Sequence, residues 1–226
     1  MSASIDPSGG KNGANPVSVF GASGRLGRQV VAELLHRGHA AVAFVHSNNP
    51  FDARSGLRIV QGDIHDQVAV VDAIAGSRGV IATLGSAAAS VKDVASAGTH
   101  NIVLGMAAHG IARIVSTTGS AARDDLEIGT EHPHLLARRT AMLSFNPELL
   151  LDGELHLRLL RGSGLDWTVI RAPRMMEMDH PSTATILSEQ PPDPATVLPY
   201  RAVACAIVTE FFALQWRHAA PFISPK

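Results

Sequence analysis

The sequence contains little cysteine, little net charge and no long apolar run, and each absence excludes a class of protein. The single cysteine, Cys205, cannot form a disulfide within the chain, which is typical of proteins in a reducing compartment. The formal net charge of −1 gives no electrostatic reason to expect nucleic acid or an anionic membrane as a partner. No apolar run approaches the roughly 18 residues that a membrane-spanning helix requires. We therefore expect a cytoplasmic protein whose partner is a small-molecule substrate, with no nucleic acid and no membrane.

Aromatic residues are also scarce, at 4% of the 226 residues, whereas hydrophobic residues as a whole make up 46%. The core must therefore consist of Ala, Val, Leu and Ile, which is the usual filling of a parallel sheet covered by helices on both faces. The N-terminal stretch is rich in Ser, Gly, Asn and Pro and lacks the apolar segment of a secretory signal. We predict a disordered leader over residues 1–15 and a single domain over residues 16–226.

Strand-like and helix-like segments alternate along this domain. The predicted strands are 17–20, 41–45, 57–60, the apolar part of "GVIATLG", "ARIVSTT" and 166–171, with a further candidate at 183–187. The predicted helices are one that ends at Gly38, then 68–74, 90–109, "LLARRTAMLS", a stretch from Asn146 to Gly162, and 200–216. Repeated strand–helix units with right-handed crossovers form a Rossmann-like α/β fold with a doubly wound parallel sheet. We predict this fold, with a small substrate-side region near its C-terminal end.

The segment "VFGASGRLG" connects the first predicted strand to the first predicted helix. Its glycines have the spacing G-x-x-G-x-x-G, in which one allows a sharp turn, another lets the backbone approach a pyrophosphate, and the last permits close packing of helix on sheet. The helix N-terminus then presents free N–H groups to the phosphates. This context favours a nucleotide site over a merely structural turn. The predicted contacts are Gly21, Ser23, Gly24, Arg25, Leu26 and Gly27.

Five segments together resemble one protein family: "VFGASGRLG", "VQGDIHD", "ATLG", "VSTTGS" and "RGSGLDWTVIRAPRM". They are similar to the short-chain dehydrogenase/reductase superfamily, and within it to the atypical, NmrA-like and flavin-reductase-like branch, which binds NAD(P). The resemblance extends from Val17 to about Val208. It implies that Asp63 and the backbone at Ile64 contact the adenine. The alternative is that Asp63 caps the short helix that begins near Asp66.

The same resemblance places further residues beside the cofactor. Leu84 and Gly85 belong to "ATLG", and Arg171, Ala172 and Pro173 stand at the end of the sixth predicted strand. The alternative for Arg171 is a structural ion pair.

The residue that follows the second predicted strand bears on the choice of cofactor. A NAD site usually has a carboxylate there for the ribose 2′-OH, whereas a NADP site has cations for the 2′-phosphate. Here the residue is His46, where the family commonly has Arg. The candidate cations are Arg25, Arg54 and Arg58. We predict NADP rather than NAD, with His46 at the 2′ position.

The usual catalytic pair of the superfamily, a Tyr with a Lys four residues later, is absent from this sequence. The only tyrosine is Tyr200, and the only lysines are Lys11, Lys92 and Lys226. The usual dehydrogenase mechanism is therefore excluded. The resemblance assigns a polar hydroxyl position to "STTGS", so the catalytic candidates are Ser116, Thr117 and Thr118. Such a hydroxyl can hydrogen-bond a substrate carbonyl or the cofactor carboxamide; the alternative is that it satisfies local backbone groups.

Several other polar or soft side chains are weaker candidates. His132 and His134 flank Pro133 in a predicted loop, and a His-x-His pair alone is too sparse for a zinc site, so we predict no metal. Glu154 and His156 lie on the helix before the sixth strand. A methionine cluster after Pro173 could form a soft wall for a flat ligand or fill the core; its members are Met175, Met176 and Met178.

Direct hydride transfer to a flavin-like acceptor needs little beyond positioning, because the cofactor carries the chemistry. We therefore expect an NAD(P)H-dependent reductase of the atypical short-chain class, acting on a small, flavin-like or quinone-like acceptor. The alternatives are a non-catalytic NAD(P)-binding redox sensor of the NmrA-like type, and an isomerase or lyase that uses the bound cofactor structurally. Because superfamily members often pair, a homodimer is also expected.

Overall fold

The computed structural model describes residues 15–85, 93–130, 132–178 and 183–226. Within these residues, ten strands occupy Val17–Phe20 (β1), Ala41–Val45 (β2), Leu57–Gln61 (β3), Gly79–Ala82 (β4), Arg113–Gly119 (β5), Asp166–Ala172 (β6), Arg174–Met176 (β7), Thr185–Ser188 (β8), Val197–Pro199 (β9) and Phe222–Pro225 (β10). The α-helices of the same described ranges occupy Arg25–His36 (α1), Gln67–Ile74 (α2), Val94–Ala108 (α3), Pro133–Phe145 (α4), Pro147–Arg161 (α5) and Tyr200–Ala213 (α6). A 3-10 turn covers Asp125–Glu127.

Eight strands form one central sheet in the order β3-β2-β1-β4-β5-β6-β10-β8. All neighbouring pairs in it are parallel except β10 with β8. The chain therefore builds the sheet outward from β1 to β3 and then returns to place β4 on the other side of β1. Ligands of open α/β sheets bind at such a switch point, beyond the carboxyl ends of the strands. The predicted doubly wound Rossmann-like fold is confirmed.

Each face of the sheet has its own apolar core, because successive side chains of a strand point to opposite faces. On one face, Val17 and Val19 of β1 pack with residues of α1 and α6. On the other, Phe20 packs with residues of α2, α3 and α5, among them Ile102 and Leu157. Strands β1, β2 and β4 are buried along their whole length. This explains why the inner strands consist almost wholly of small and aliphatic residues.

Several predicted helix ends follow the expected signals. Gly38 has φ +79° directly after α1, as a left-handed C-terminal glycine requires. The side chain of Asn146 accepts a hydrogen bond from the amide of Leu149 and caps α5, with Pro147 as its first residue.

The structure corrects the predicted bounds of two helices. Helix α3 begins at Val94, rather than in a stretch that starts at residue 90, and residues 86–92 lie outside the described residues. Helix α6 ends at Ala213 rather than at 216, because Leu214 adopts a left-handed conformation with φ +56°. The predicted leader lies outside the described residues except for Asn15.

The C-terminal region contains three strands that were not predicted. Strands β7 and β9 pair with each other in a separate two-stranded sheet, and β10 is inserted between β6 and β8. Each has only three or four residues, and two of them end in proline. The candidate strand at 183–187 is present as β8, Thr185–Ser188. None of the helices that the structure describes combines the length and the apolar character needed to cross a bilayer.

Candidate functional site

The glycine turn after β1 is built so tightly that side chains would not fit. Gly21 has φ +74°, and a Cβ atom on it would lie 2.6 Å from the carbonyl oxygen of Thr83, the residue after β4. A Cβ atom on Gly27 would clash with the carbonyl oxygen of Gly21. Gly24 is the N-cap of α1 and has no side chain that could accept hydrogen bonds from the first turn of that helix. The first amides of α1 are therefore available to an anion such as a diphosphate.

A cavity of about 350 Å³ lies at the switch point, beside this turn. It extends from the start of α1, past the ends of β4, β5 and β6, to the first turns of α5 and α6. Eight predicted site residues line it: Gly24, Arg25, Leu26, Leu84, Gly85, Thr117, Thr118 and Pro173. Its remaining lining is mostly apolar, and the part farthest from the glycine turn is formed by Ala121, Ala122, Met142, Leu149 and Leu150.

The predicted adenine residues, Asp63 and Ile64, lie just after β3. The carboxylate of Asp63 accepts hydrogen bonds from the backbone amide of His65 at 2.9 Å and pairs with its Nδ1 at 3.0 Å. These hydrogen bonds, the one from the amide first, lower the pKa of Asp63. The alternative role of Asp63 as the cap of α2 is wrong, because Asp66 caps that helix through the amides of Val68 and Ala69.

Ile64 and Leu84 approach each other across a glycine of α3. A Cβ atom on Gly98 would lie 2.6 Å from Ile64 Cγ1 and 2.6 Å from Leu84 Cδ1. The side-chain amide of Asn101 donates to the carbonyl oxygen of Ile64 at 2.9 Å and holds this segment in place. The two side chains are half-buried and form an apolar surface of the kind that an adenine ring covers. The contribution of Gly98 was not predicted, since a glycine within a helical pattern has many explanations.

Ser116 lies below the cavity rather than in its lining. Its hydroxyl donates to the carbonyl oxygen of Ala82 at 3.1 Å and contacts Nε2 of His156 at 2.7 Å. Both residues are buried, each with an exposed fraction of 2%. Burial lowers the pKa of His156 to about 4, so its ring is neutral at physiological pH. Ser116 thus corresponds to the alternative of a strand-end hydroxyl that satisfies local groups.

Thr117 and Thr118 line the cavity, and α5 lies against them. A Cβ atom on Gly153 would lie 2.5 Å from Thr118 Oγ1, so the helix can approach the end of β5 only because this residue is glycine. The neighbouring Asp152 also lines the cavity, with an exposed fraction of 6%. Its carboxylate accepts from the backbone amides of Ala95 and Ser96, both at 2.9 Å.

Asp152 therefore occupies the N-terminus of α3, so this helix end is not available to an anion, whereas the N-terminus of α1 beside the glycine turn is. Asp152 was not among the predicted site residues. The residues whose amides donate to Asp152 are 57 and 56 positions away in sequence, so no local sequence pattern predicts the contact.

Arg171 does not line the cavity, and the predicted cofactor contact is corrected to a structural role. Its guanidinium makes two hydrogen bonds to the carboxylate of Glu127, both at 2.7 Å, and its Nε donates to the carbonyl oxygen of Ala220 at 2.8 Å. The group also lies over the ring of Phe222, 3.7 Å from the centroid. The next residue, Ala172, lines the cavity, whereas the guanidinium of Arg171 is held outside it by Glu127 and Ala220.

The only tyrosine of the chain is a cavity residue that was not predicted. Tyr200 begins α6, has an exposed fraction of 9%, and lies under the guanidinium of Arg25, with Cζ 5.3 Å from the ring centroid. Arg25 is therefore held on the α6 side of the glycine turn. Of the other cations considered for a 2′-phosphate, Arg58 donates to the carbonyl oxygen of Ala73 at 3.4 Å, and Arg54 is exposed in the loop after β2.

The weaker candidates lie mostly outside the cavity. His132 is the N-cap of α4, and its ring lies 4.2 Å from that of His134. The carboxylate of Glu154 is paired with Arg139 at 2.6 Å. Met175 lines the cavity, whereas Met176 and Met178 are exposed. In the part of the chain that is described, no group of three metal-ligating side chains is positioned to hold an ion.

A second concavity of about 630 Å³ lies on the other side of α6, between α1 and β8. It contains Cys205, whose thiol has its pKa raised by burial and by Glu33, so the thiol stays protonated at neutral pH. It has no contact with the glycine turn or with the strand ends that form the first cavity.

The sequence profile of a family described as NAD(P)H-binding matches residues 21–212, which include the glycine turn and all of the cavity. The chain belongs to this NAD(P)H-binding family. Two relatives match over shorter segments. A 2-alkyl-3-oxoalkanoate reductase from Stenotrophomonas maltophilia is 34% identical over 107 residues, which are 45% of this chain and 32% of the relative. An isoflavone reductase homolog from Zea mays is 35% identical over 80 residues, 31% of this chain and 26% of the relative. This NAD(P)H-binding chain thus spans about a third of the length of the curated relatives it matches.

Solved structures share the whole fold at low identity. A candidate NADH-flavin reductase from Streptococcus pneumoniae has a TM-score of 0.77 at 20% identity, covering 94% of this chain and 100% of that one. A short-chain dehydrogenase/reductase from Veillonella parvula in complex with NADP has a TM-score of 0.72 at 15% identity, with 93% and 94% covered. An anaerobillin reductase from Escherichia coli O157:H7 has a TM-score of 0.70 at 16% identity, with 93% and 97% covered. These likenesses establish the fold of this NAD(P)H-binding protein.

Proposed function

We propose that the chain is an NAD(P)H-dependent reductase of the atypical short-chain class that reduces a small, planar, flavin-like or quinone-like acceptor. One observation carries the proposal: a single cavity joins the phosphate-binding turn at Gly24 to an apolar end beside Thr117 and Thr118. A dinucleotide that lies along this cavity has its diphosphate at the turn and its nicotinamide at the ends of β5 and β6.

The described residues fit such a cofactor. The turn has no room for side chains at Gly21 and Gly27, and the first amides of α1 have no capping side chain at Gly24. Ile64 and Leu84 supply an apolar surface at the adenine end. Arg25 stands at the first helical position, where a guanidinium stabilises a diphosphate.

The residues at the other end bind and orient the acceptor. A bound NAD(P)H would supply the hydride and be oxidised to NAD(P)⁺. The hydroxyls of Thr117 and Thr118 donate hydrogen bonds to a carbonyl oxygen of the acceptor and hold its ring against the cofactor. The apolar wall of Ala122, Met142 and Leu150 excludes water from that ring. A flavin or quinone product takes its proton from solvent, so the missing Tyr and Lys are not required.

The names of three structural neighbours support parts of this proposal. The Streptococcus pneumoniae protein is described as an NADH-flavin reductase and the Escherichia coli protein as an anaerobillin reductase, which supports a reductase function for this chain. The Veillonella parvula protein was solved with NADP, which supports our choice of NADPH as the preferred reductant. A cytoplasmic location and pairing with a second copy stay predictions, and sedimentation of the purified protein is the measurement for the second.

A non-catalytic redox sensor of the NmrA-like type is the second candidate, favoured by the lack of a Tyr-x-x-x-Lys pair in the sequence. One measurement distinguishes the two functions. The purified protein is titrated with NADPH and NADH, and flavin and quinone acceptors are then added while cofactor oxidation is followed by absorbance. Oxidation supports the reductase, whereas binding without oxidation over a broad acceptor panel supports the sensor.

A pair of variants tests the site itself. Gly24→Trp should abolish cofactor binding and leave the circular dichroism spectrum unchanged, because Gly24 is exposed at the mouth of the cavity. Ala32→Trp adds the same bulk on the exposed face of the same helix and should bind normally. Equal affinity of the two variants would show that the cofactor binds elsewhere.

A further inference from the structure

His46 follows β2 directly, at the carboxyl edge of the sheet. In dinucleotide-binding sheets, the residue at this point meets the 2′ position of the adenosine ribose, which carries a hydroxyl in NAD and a phosphate in NADP. The side chain of His46 is accessible, with an exposed fraction of 72%.

The chain brings a carboxylate to the same point through a glycine after β3. The amide of Gly62 donates to the carbonyl oxygen of Val45 at 2.9 Å, which continues the pairing of β3 with β2. A Cβ atom on Gly62 would lie 2.9 Å from Cζ of Phe44, so only glycine allows this approach. The next residue is Asp63, and its Oδ2 lies 3.6 Å from Nε2 of His46.

Two further titratable groups continue from Asp63 toward α3. Nδ1 of His65 lies 3.0 Å from Oδ1 of Asp63, and its Nε2 lies 3.1 Å from Oδ1 of Asp93, the N-cap of α3. We call these four residues the histidine–carboxylate cluster: His46, Asp63, His65 and Asp93. The nearby loop after β2 adds the exposed Asp52 and Arg54, whose opposite charges offset each other.

The charge of the cluster depends on its two imidazoles. With both carboxylates ionised, two neutral rings give a total of −2 and two protonated rings give 0. Histidine is the side chain whose charge changes between about pH 5 and pH 8. Hydrogen bonds to Asp63 and Asp93 raise the pKa of His65, so this ring keeps its proton to higher pH than an ordinary histidine does. A 2′-phosphate is therefore repelled at high pH and tolerated at low pH, whereas a 2′-hydroxyl donates to Asp63 at either.

We propose that the histidine–carboxylate cluster makes the choice between NADP and NAD depend on pH, with His46 as the group that pairs with the 2′-phosphate when protonated. This inference rests on the proposed function, since it concerns the cofactor of the same site. The fixed cations do not remove the dependence: Arg25 lies on Tyr200, and Arg58 donates to Ala73. The cluster thus favours NADPH in mildly acidic conditions and NADH in mildly alkaline ones.

Calorimetric titration of the whole chain with NADPH and NADH, at about pH 6 and about pH 8 and at constant ionic strength, tests this proposal. NADPH affinity should fall by about tenfold from the lower to the higher pH, which is the size of a typical coupling between a proton and a ligand. NADH affinity should change by less than about twofold. Repeating the NADPH titration in buffers of different ionisation enthalpy should show proton uptake on binding.

Three variants assign the effect to the cluster. His46→Gln should bind NADPH weakly at both pH values, with a smaller pH dependence than the wild type, because only His65 of the cluster then changes its charge. His46→Arg places a fixed cation there and should bind NADPH tightly at both, with less proton uptake. His36→Gln, at the exposed far end of α1, should behave like the wild type.

The outcomes separate this inference from the proposed function. If both cofactors bind and the ratio of their affinities is the same at the two pH values, the inference is overturned and the cofactor site stands. An unchanged tenfold dependence in His46→Gln also overturns it. If neither cofactor binds at either pH, the proposed function itself fails.

Discussion

Gly153 of α5 lies directly against Thr118 of β5, where a Cβ atom would come within 2.5 Å of the threonine hydroxyl. Replacing a glycine by alanine inside a helix normally stabilises a protein by about 1 kcal/mol. Here overpacking costs about 1–3 kcal/mol, so Gly153→Ala should lower the free energy of unfolding by about 1 kcal/mol. Urea unfolding followed by circular dichroism measures this change.

The same substitution in a Thr118→Ala background is the control. Without Oγ1 there is room for the new methyl group, since the next nearest atoms are 3.7 Å away or more. Gly153→Ala should then stabilise the protein by about 0.5–1 kcal/mol. Stabilisation in both backgrounds would show that α5 and β5 are farther apart than this contact requires.

Arg25 and Tyr200 form a stack that orients the guanidinium at the start of α1. A cation–π contact at an accessible site contributes about 0.5–1 kcal/mol, which corresponds to a two- to fivefold change in affinity. Tyr200→Phe keeps the ring and should bind NADPH as the wild type does. Tyr200→Leu keeps much of the apolar volume but loses the ring, and should bind NADPH about two- to fivefold more weakly in fluorescence titrations. Equal affinity of the two variants would contradict a role for the stack.

Glu127 neutralises Arg171, whose side chain has an exposed fraction of 5%. Glu127→Gln leaves this buried cation without its counter-charge. Since Glu127 itself is partly exposed, we expect a loss of about 2 kcal/mol in the free energy of unfolding, below the 3–5 kcal/mol of a fully buried pair. NADPH affinity should stay within about twofold, because Arg171 does not line the cavity.

The neighbouring Asp125 provides the matched control for this prediction. It pairs with Arg158 on the surface, and Asp125→Asn should leave the unfolding curve unchanged. If Glu127→Gln keeps full stability but binds NADPH weakly, Arg171 contributes to the cofactor site and a purely structural role for it is wrong.

Because of His156, the free energy of unfolding depends on pH in the acidic range. Its pKa is about 4 in the folded protein and has a reference value of 6.5, so between these values the unfolded chain binds more protons than the folded one. The free energy of unfolding therefore falls as pH decreases from 6.5 toward 4, by on the order of 3 kcal/mol from this residue. Above pH 6.5 the residue makes no such contribution.

Replacing the ring removes this dependence. His156→Leu cannot take up a proton, and Ser116 keeps its hydrogen bond to Ala82. The variant should lose less stability than the wild type between about pH 7 and about pH 4.5 in urea unfolding. Parallel pH profiles of the two proteins would show that His156 is already protonated in the folded state.

The central strands and the glycine turn could be predicted from sequence because their signals are local. β1, β2 and β4 are short, mainly apolar runs, and each is buried along its whole length, so each can be recognised alone. β7 and β10 have three and four residues and exist only through pairing with distant strands. Neither is buried along its whole length as β1 and β4 are, so no continuous apolar run marks them in the sequence.

The residues of the candidate site also fall into two groups, those that local sequence signals predict and those that depend on tertiary packing. Gly24, Leu84 and Thr118 line the cavity as predicted, because the ends of parallel strands must meet at one edge. Asp152 and Tyr200 were missed, since their roles depend on how α3, α5 and α6 pack around that edge. Arg171 was assigned to the cofactor from its position at a strand end; it instead pairs with Glu127, which is 44 positions away in sequence and carries no local signal of the contact.

Helix α4 is packed less tightly against the protein than the other elements that line the cavity. None of its 13 residues, all of which are described, is buried, although Met142 reaches the cavity lining. Its amide hydrogens should exchange with solvent through local opening, at a free energy well below that of global unfolding. Local opening of α4 would widen the apolar end of the cavity and leave the strand ends and the glycine turn in place. The largest molecule that could enter would then depend on the opening free energy of α4 as well as on the volume of the cavity.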